Sequence, residues 1–370
     1  MPSAVKQIPL FKVFMPESVM EPLRTTLMSG YIGQGPRVEE FETALAARLE
    51  TPHALTLNSA TSSLQLALRL SDVGPGDEVI TTAMTCTATN WAILAQGAIP
   101  VWADIDEKTA NIDPQTIEPL ITPKTKVIMV VHWGGYPADL DEIWSIARKH
   151  HLKVIEDASH AFGSTYKGRH VGTQSDFGVF SFQAIKHMTT VDGGLLVTNK
   201  VADHGRGKLL RWYGIDRDAC RADFRCENDI LEWGWKFHMN DVAATIGLEQ
   251  LKYVDGIIAK HRDNAAFFAR ELRNIPGVAQ LDLKSDRSSA SWIHTIKVSA
   301  RDQFMAAMQR RGIMTSRVHE RNDKHSTVAA YRRPLPQLDR FVREMICIPV
   351  GWWVNENERQ YIVESIRAGW

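Results

Sequence analysis

At 370 residues, with 44% hydrophobic residues, the chain is long enough to bury a large core, and its composition is that of a soluble globular protein. Its 43 lysines and arginines balance its 43 aspartates and glutamates, with no dense basic run interleaved with aromatics, which argues against nucleic acid or an anionic membrane as the partner. Cys86, Cys220, Cys226 and Cys347 stand without a CxxC or a paired Cys/His spacing, which argues against structural zinc, an iron-sulfur cluster or a disulfide scaffold.

Residues 1–7 lack a basic start followed by an apolar core, and no apolar run approaches the roughly 18 residues of a membrane span. A cytoplasmic protein with reduced thiols is expected. Helical spacing over 17–28 ends at Ser29-Gly30, and the Gly- and Pro-rich loop 31–36 exposes Tyr31 to a ligand or merely packs it. A second amphipathic helix covers 38–49. A strand at 54–57 runs through Asn58-Ser59-Ala60-Thr61 into a helix that reaches Leu70. Small hydroxyl residues between a strand and a helix start leave unpaired backbone N–H groups that bind phosphate, with Ala60 and Thr61 as candidates. A plain N-cap has the same pattern.

Strands are expected at 77–82, 100–104, 126–132 and 153–157, alternating with helices after 84–90 and over 140–150. Unbroken β-branched runs of this kind predict a mostly parallel sheet covered by helices on both faces, with ligands at the carboxyl ends of the strands. That rule singles out Asp157. A carboxylate closing an apolar strand is expensive to bury without a cationic partner, and His160 follows it closely. Further on, Lys186 lies between a strand at 178–182 and a Thr-Thr-x-x-Gly-Gly turn that opens another at 195–198. An amine held there among hydroxyls and glycines suits Schiff-base chemistry, although taken alone it reads better as a surface lysine on a hairpin loop.

Beyond Leu251, a long helix over 254–273, an apolar segment at 292–298 and a helix over 302–311 predict a small α/β domain. The expected division is 1–250 for a large domain and 251–370 for the small one. The loop 317–323 packs charge and imidazole together; His319 and Arg321 in it are candidates for substrate binding or belong to a hydrated surface loop.

Taken together, segments 29–32, 40–42, 58–61, 76–79, 112–114, 132–139, 156–163, 181–194 and 239–248 resemble the DegT/StrS-type sugar aminotransferase family, within the fold type I pyridoxal phosphate (PLP) enzymes. The resemblance implies the fold type I architecture, a central mostly parallel sheet sandwiched by helices with a smaller carboxyl-terminal α/β domain. It implies that Lys186 carries the cofactor as a Schiff base and that Asp157 faces the pyridine nitrogen. Ala60, Thr61 and Ser181 become phosphate ligands by the same resemblance, and His160 lies beside the cofactor hydroxyl. Residues 236–240, with Lys236 and His238, resemble the loop that a second subunit contributes to the phosphate site, implying a homodimer with shared active sites. Implied substrates are an amino acid donor, in this family usually L-glutamate, and a keto-sugar, taken as nucleotide-linked. Tyr31, His187, His319 and Arg321 are the candidates for binding them.

Three positions depart from the family pattern. Cys86 stands where relatives place an aromatic ring over the cofactor, and Trp91 is a neighbour that could substitute for it. Ala60-Thr61 replaces the usual Gly-Thr, and Lys236-Phe237-His238 replaces the usual Asn-Tyr-Arg. Competing expectations on the same scaffold are a PLP-dependent sugar dehydratase, in which histidine replaces the lysine, and a PLP-binding regulatory protein without turnover. Lysine at 186, with histidine only next door at 187, favours transamination.

Overall fold

The apolar runs form strands, and with two short polar ones there are nine before residue 200 among the described residues: β1 (His53–Leu57), β2 (Glu78–Thr82), β3 (Ile99–Ala103), β4 (Thr125–Val131), β5 (Lys153–Asp157), β6 (Thr165–Tyr166), β7 (Arg169–His170), β8 (Phe177–Ser181) and β9 (Gly194–Thr198). In this computed structural model, which describes residues 7–219, 223, 227 and 229–370, seven of them pair in the order β1-β9-β8-β5-β4-β2-β3. Pairings from β3 through β8 are parallel, and β9 runs antiparallel to both β1 and β8. Cys220 and Cys226 lie outside the described residues; Cys86 and Cys347 are free thiols. Among the described residues no helix is long and apolar enough to cross a membrane.

Among the described residues, eight α-helices lie at or before Glu271: α1 (Met20–Met28), α2 (Pro36–Leu49), α3 (Ala60–Leu70), α4 (Thr87–Ala95), α5 (Leu140–Lys149), α6 (Val201–Leu210), α7 (Asp241–Leu251) and α8 (Val254–Glu271). Because side chains alternate across a strand, β5 sends Val154 into a core with Phe41 of α2, Ile143 of α5 and Ala244 of α7, and Ile155 into another with Leu64 of α3, Ile93 of α4 and Leu210 of α6. The sheet is therefore covered on both faces. By the same alternation Asp157 follows Ile155 to the α3/α4 side.

One buried carboxylate organises the start of α2. Asp241 accepts hydrogen bonds from the backbone N–H groups of Gly35 (2.8 Å), Val38 (3.1 Å) and Arg37 (3.2 Å), satisfying donors that a helix leaves open at that end. The lip carrying Tyr31 is thus tied to α7.

The remaining strands are β10 (Val278–Gln280), β11 (Arg287–Ser288), β12 (His294–Val298) and β13 (Met345–Ile348). β11 completes a small sheet with β6 and β7, and β10-β12-β13 form an antiparallel sheet backed by α9 (Arg301–Arg310), α10 (Pro336–Glu344) and α11 (Glu356–Arg367). Ile8 bridges to Ile313 and is buried with Phe304, Ile346 and Ile362, so the start of the chain is built into this second core. The single boundary expected at 250 did not foresee that, because a short apolar segment carries no sign of its distant partner.

At the carboxyl end of the large sheet, β9 meets the amino terminus of α3. A Cβ on Gly194 would lie 2.3 Å from the Ser59 carbonyl oxygen and 2.5 Å from the Ala60 nitrogen, so only glycine lets the two backbones touch. Gly194→Ala is expected to cost about 1–3 kcal/mol, read as a lowered urea midpoint. An unchanged midpoint would mean that the strand shifts without penalty.

Candidate active site

The ends of β5 and β8, the start of α3, the segment before α4 and two loops from the carboxyl-terminal third enclose a cavity of about 370 Å³. Ala60, Thr61, Cys86, Asp157, His160, Ser181, Lys186 and His319 all line it. Asp157 and Ser181 close strands and Ala60 opens a helix at the carboxyl end of one sheet, and the loops carrying His160, Lys186 and His319 close over that end.

Lys186 is the lysine that lines this cavity. Burial pushes its amine down from 10.5 to about 8, with Asp157 and Cys86 pulling partly the other way. Asp157, only 4% exposed, accepts at Oδ2 from the Thr89 hydroxyl (2.7 Å) and at Oδ1 from the Ser159 N–H (3.1 Å). Thr89 in turn meets the Thr85 hydroxyl at 2.9 Å. The carboxylate is therefore oriented by hydroxyl and amide donors while facing the cavity that also holds the amine.

Its neighbour Glu156 points to the opposite face and serves structure. The Ala138 N–H donates to Nδ1 of His132 (3.1 Å), so Nε2 bears the ring proton and donates to Glu156 Oε2 (2.9 Å), which also accepts from the Gly172 N–H (2.7 Å).

One end of the cavity is a helix start. Ser59 caps α3 by accepting from the Ser62 N–H (3.1 Å), which leaves the amides of Ala60 and Thr61 at the cavity wall. Gly193 lines the cavity beside them, where a Cβ would strike the Thr190 hydroxyl at 2.1 Å. His160 Nδ1 and His319 Nε2 are buried without hydrogen-bond partners. Burial holds His160 well below the usual histidine range and His319 at about 4, in both cases aided by the Lys186 charge. Unpaired polar atoms, open helix amides and a glycine-lined wall fit a phosphorylated, hydrogen-bonding aromatic group such as PLP.

Other expected site residues are placed elsewhere. His187 is buried with Nε2 donating to the Ala290 carbonyl (3.0 Å) and its ring against His261, so it does not face substrate. Arg321 spends its guanidinium on Asp323 (2.7 and 2.6 Å) and Asp339, outside the cavity lining. Tyr31 is 71% exposed and borders a separate hollow with Leu209 and Trp212. Lys236 and His238 lie on the rim beside Asn58, which bonds the backbone of Lys236 and Phe237, and the His238 ring packs on Trp212 at 3.7 Å. Within one chain neither reaches the cavity. Trp91 packs edge-on against His325 and is not in the lining.

Residues missed by sequence reasoning complete the site. Thr85 and Thr89 carried a usable signal, two hydroxyls four residues apart across the start of a helix after a strand. Asn322 gave none: its side chain accepts from Asn90 (2.8 Å) and donates to the Thr85 carbonyl (2.9 Å), clamping the 317–323 loop so that His319 enters the cavity. Trp292 is the aromatic ring of the lining, and it comes from the turn before β12.

Comparison with known proteins identifies the family and the fold. The family model described as "DegT/DnrJ/EryC1/StrS aminotransferase family" matches residues 15–367. The crystal structure of AtS13 from Actinomadura melliaura is 45% identical, with a TM-score of 0.96 over 99% of this chain and 100% of that one. That of the sugar aminotransferase CalS13 from Micromonospora echinospora is 40% identical, with a TM-score of 0.95 over 98% and 100%. The spore coat polysaccharide biosynthesis protein SpsC of Bacillus subtilis (strain 168) is 36% identical over 300 residues, 80% of this chain and 76% of that protein. With its lysine, carboxylate and open helix terminus at the edge of a fold type I sheet, the chain belongs to the DegT/DnrJ/EryC1/StrS aminotransferase family.

Proposed function

We propose that the chain is a cytoplasmic, PLP-dependent enzyme that moves an amino group from L-glutamate to a nucleotide-linked keto-sugar, in the making of an amino sugar. The observation that carries this is the shared cavity of Lys186, Asp157 and the α3 amino terminus. Lys186 would hold the cofactor covalently, with Asp157 at the pyridine nitrogen, the Ala60 and Thr61 amides and Ser181 at the phosphate, and His160 beside the ring hydroxyl. When bound, PLP supplies an electron sink for the carbanion left as an α-proton departs.

The rest of the chemistry belongs to the protein. An amine titrating at about 8 takes up and returns a proton near neutral pH, as a general acid and base must. Asp157, held by Thr89 and Ser159, keeps its charge directed into the cavity. Neutral His160 and His319 offer hydrogen bonds to substrate oxygens without adding a second cation. Lysine at 186, with His187 turned to Ala290, supports transfer over dehydration.

A homodimer is part of the same proposal. Tyr31, Leu209 and Ile215 border one hollow, and Leu209, Ile215, Ile230 and Leu231 another; charged side chains such as Lys208 and Arg217 share the walls of the first, and on this surface Leu231 is 94% exposed. A second copy covering that surface would bring its Lys236 and His238 toward the phosphate end of this cavity.

The test is the donor half of the reaction. PLP-loaded protein mixed with L-glutamate and no sugar is expected to convert its cofactor to the pyridoxamine form, seen as a loss of the visible absorbance band. No spectral change with any amino acid donor would refute the proposed function.

A further inference from the structure

Three interactions fix Trp292 around Lys186. Nζ of Lys186 sits 3.6 Å from the centroid of the Trp292 ring. The indole Nε1–H donates to the carbonyl of Ile185 (2.9 Å), the residue before the lysine. On the other side of the lysine, His187 donates to the Ala290 carbonyl (3.0 Å). Segments 185–187 and 290–292 are thereby fastened at two points, with Lys186 between them over the ring.

The platform is itself held. Ser164 receives the Ala290 N–H at 2.9 Å, and His261 Nδ1 meets the Ser291 carbonyl at 3.0 Å. The His160 ring stacks on Trp292 at 4.0 Å with 23° between planes, and Phe11 stacks on it at 5.1 Å with 25°. An aromatic side chain this constrained has one geometry to offer, and the negative face of an indole attracts an ammonium.

We propose that Trp292 is a positioning residue: its ring is the seat on which the free amine of Lys186 rests during turnover, stabilising the ammonium form and holding Nζ in line with the cavity. Without such a seat a buried amine would gain by shedding its proton, and it could not deliver one to substrate. The other titratable groups facing Lys186 are Asp157 at the end of β5, Cys86 before α4, His160 after β5, His319 from the 317–323 loop and Asp192 from its own loop. Asp157 and Cys86 favour the charged amine as the ring does, and burial keeps both histidines neutral, so among the described residues no other cation lines the cavity beside the indole.

The inference takes its catalytic meaning from the proposed function, but its test does not need the cofactor. Trp292 is replaced at that position alone by tryptophans bearing increasing numbers of fluorine atoms, which withdraw charge from the ring face while keeping its shape and its N–H. In cofactor-free protein, the pH dependence of Lys186 labelling by trinitrobenzenesulfonate, located by mass spectrometry, gives the midpoint for the amine. The midpoint is expected to fall stepwise with fluorination, by about one pH unit across the series, and Trp292→Phe is expected to fall within that range. A midpoint that stays constant across the series overturns the proposal. Failure of glutamate to convert bound PLP, with a midpoint that still moves, would refute the proposed function and leave the seat standing.

Discussion

Replacing Lys186 by alanine is expected to lower turnover by at least about 10³-fold and to leave no cofactor covalently attached after borohydride reduction. The amine is the only cationic side chain lining the cavity among the described residues, so nothing in its place can bond the aldehyde and then carry the proton. Lys186→Arg separates the two requirements: a guanidinium restores charge over Trp292 but cannot deprotonate, and turnover stays lost. Covalent attachment that survives in Lys186→Ala would mean that another lysine holds the cofactor.

Stability supplies an independent check with a definite sign. Burial lowers the folded-state value for Lys186 to about 8 from 10.5, so between those values the unfolded chain binds more protons than the folded one. Unfolding free energy of the cofactor-free protein therefore rises with pH across that window through this group, and the gain is absent below it. In Lys186→Ala this part of the rise is expected to vanish, as measured by urea midpoints between pH 8 and 10.5.

What could be read from sequence is what is local. The buried runs of β4, β5 and β8 have no polar alternation, so their identity as central parallel strands, and the placing of Asp157 at a strand end, follow from a few adjacent residues. The α3 start is equally local. Trp292 was not legible because its bond to Ile185 joins residues more than a hundred positions apart, through a turn that belongs to the other sheet. The direction of His187 was not legible: consecutive side chains leave the backbone in different directions, and this one turns to Ala290 while Lys186 faces the cavity. The partners of Arg321 were not legible from composition, since a loop rich in charge can satisfy itself, as Asp323 shows. Lys236 and His238 are held by Asn58 and Trp212 of their own chain, and the proposed reach of these two residues to a phosphate site is that of a second copy.

Asp157→Asn isolates charge from shape. The amide keeps the volume of the carboxylate and can accept from Thr89 or Ser159, but its NH₂ group would confront a protonated ring nitrogen with a second donor. A hydrogen bond to a charged group contributes about 1.5–3 kcal/mol, and each 1.36 kcal/mol is tenfold in rate, so kcat/KM is expected to fall by about 10²-fold. PLP affinity, measured by equilibrium dialysis, is expected to fall with it. Because the Asp157 charge favours the ammonium of Lys186, its loss also moves the amine midpoint below about 8. Thr89→Val, which leaves the carboxylate charged but unoriented, should shift kcat/KM in the same direction by less. Retention of full kcat/KM in Asp157→Asn would sink the assignment of Asp157 to the pyridine nitrogen, even if the Lys186 midpoint moved as expected, since that shift needs only the lost charge and not the contact with the ring.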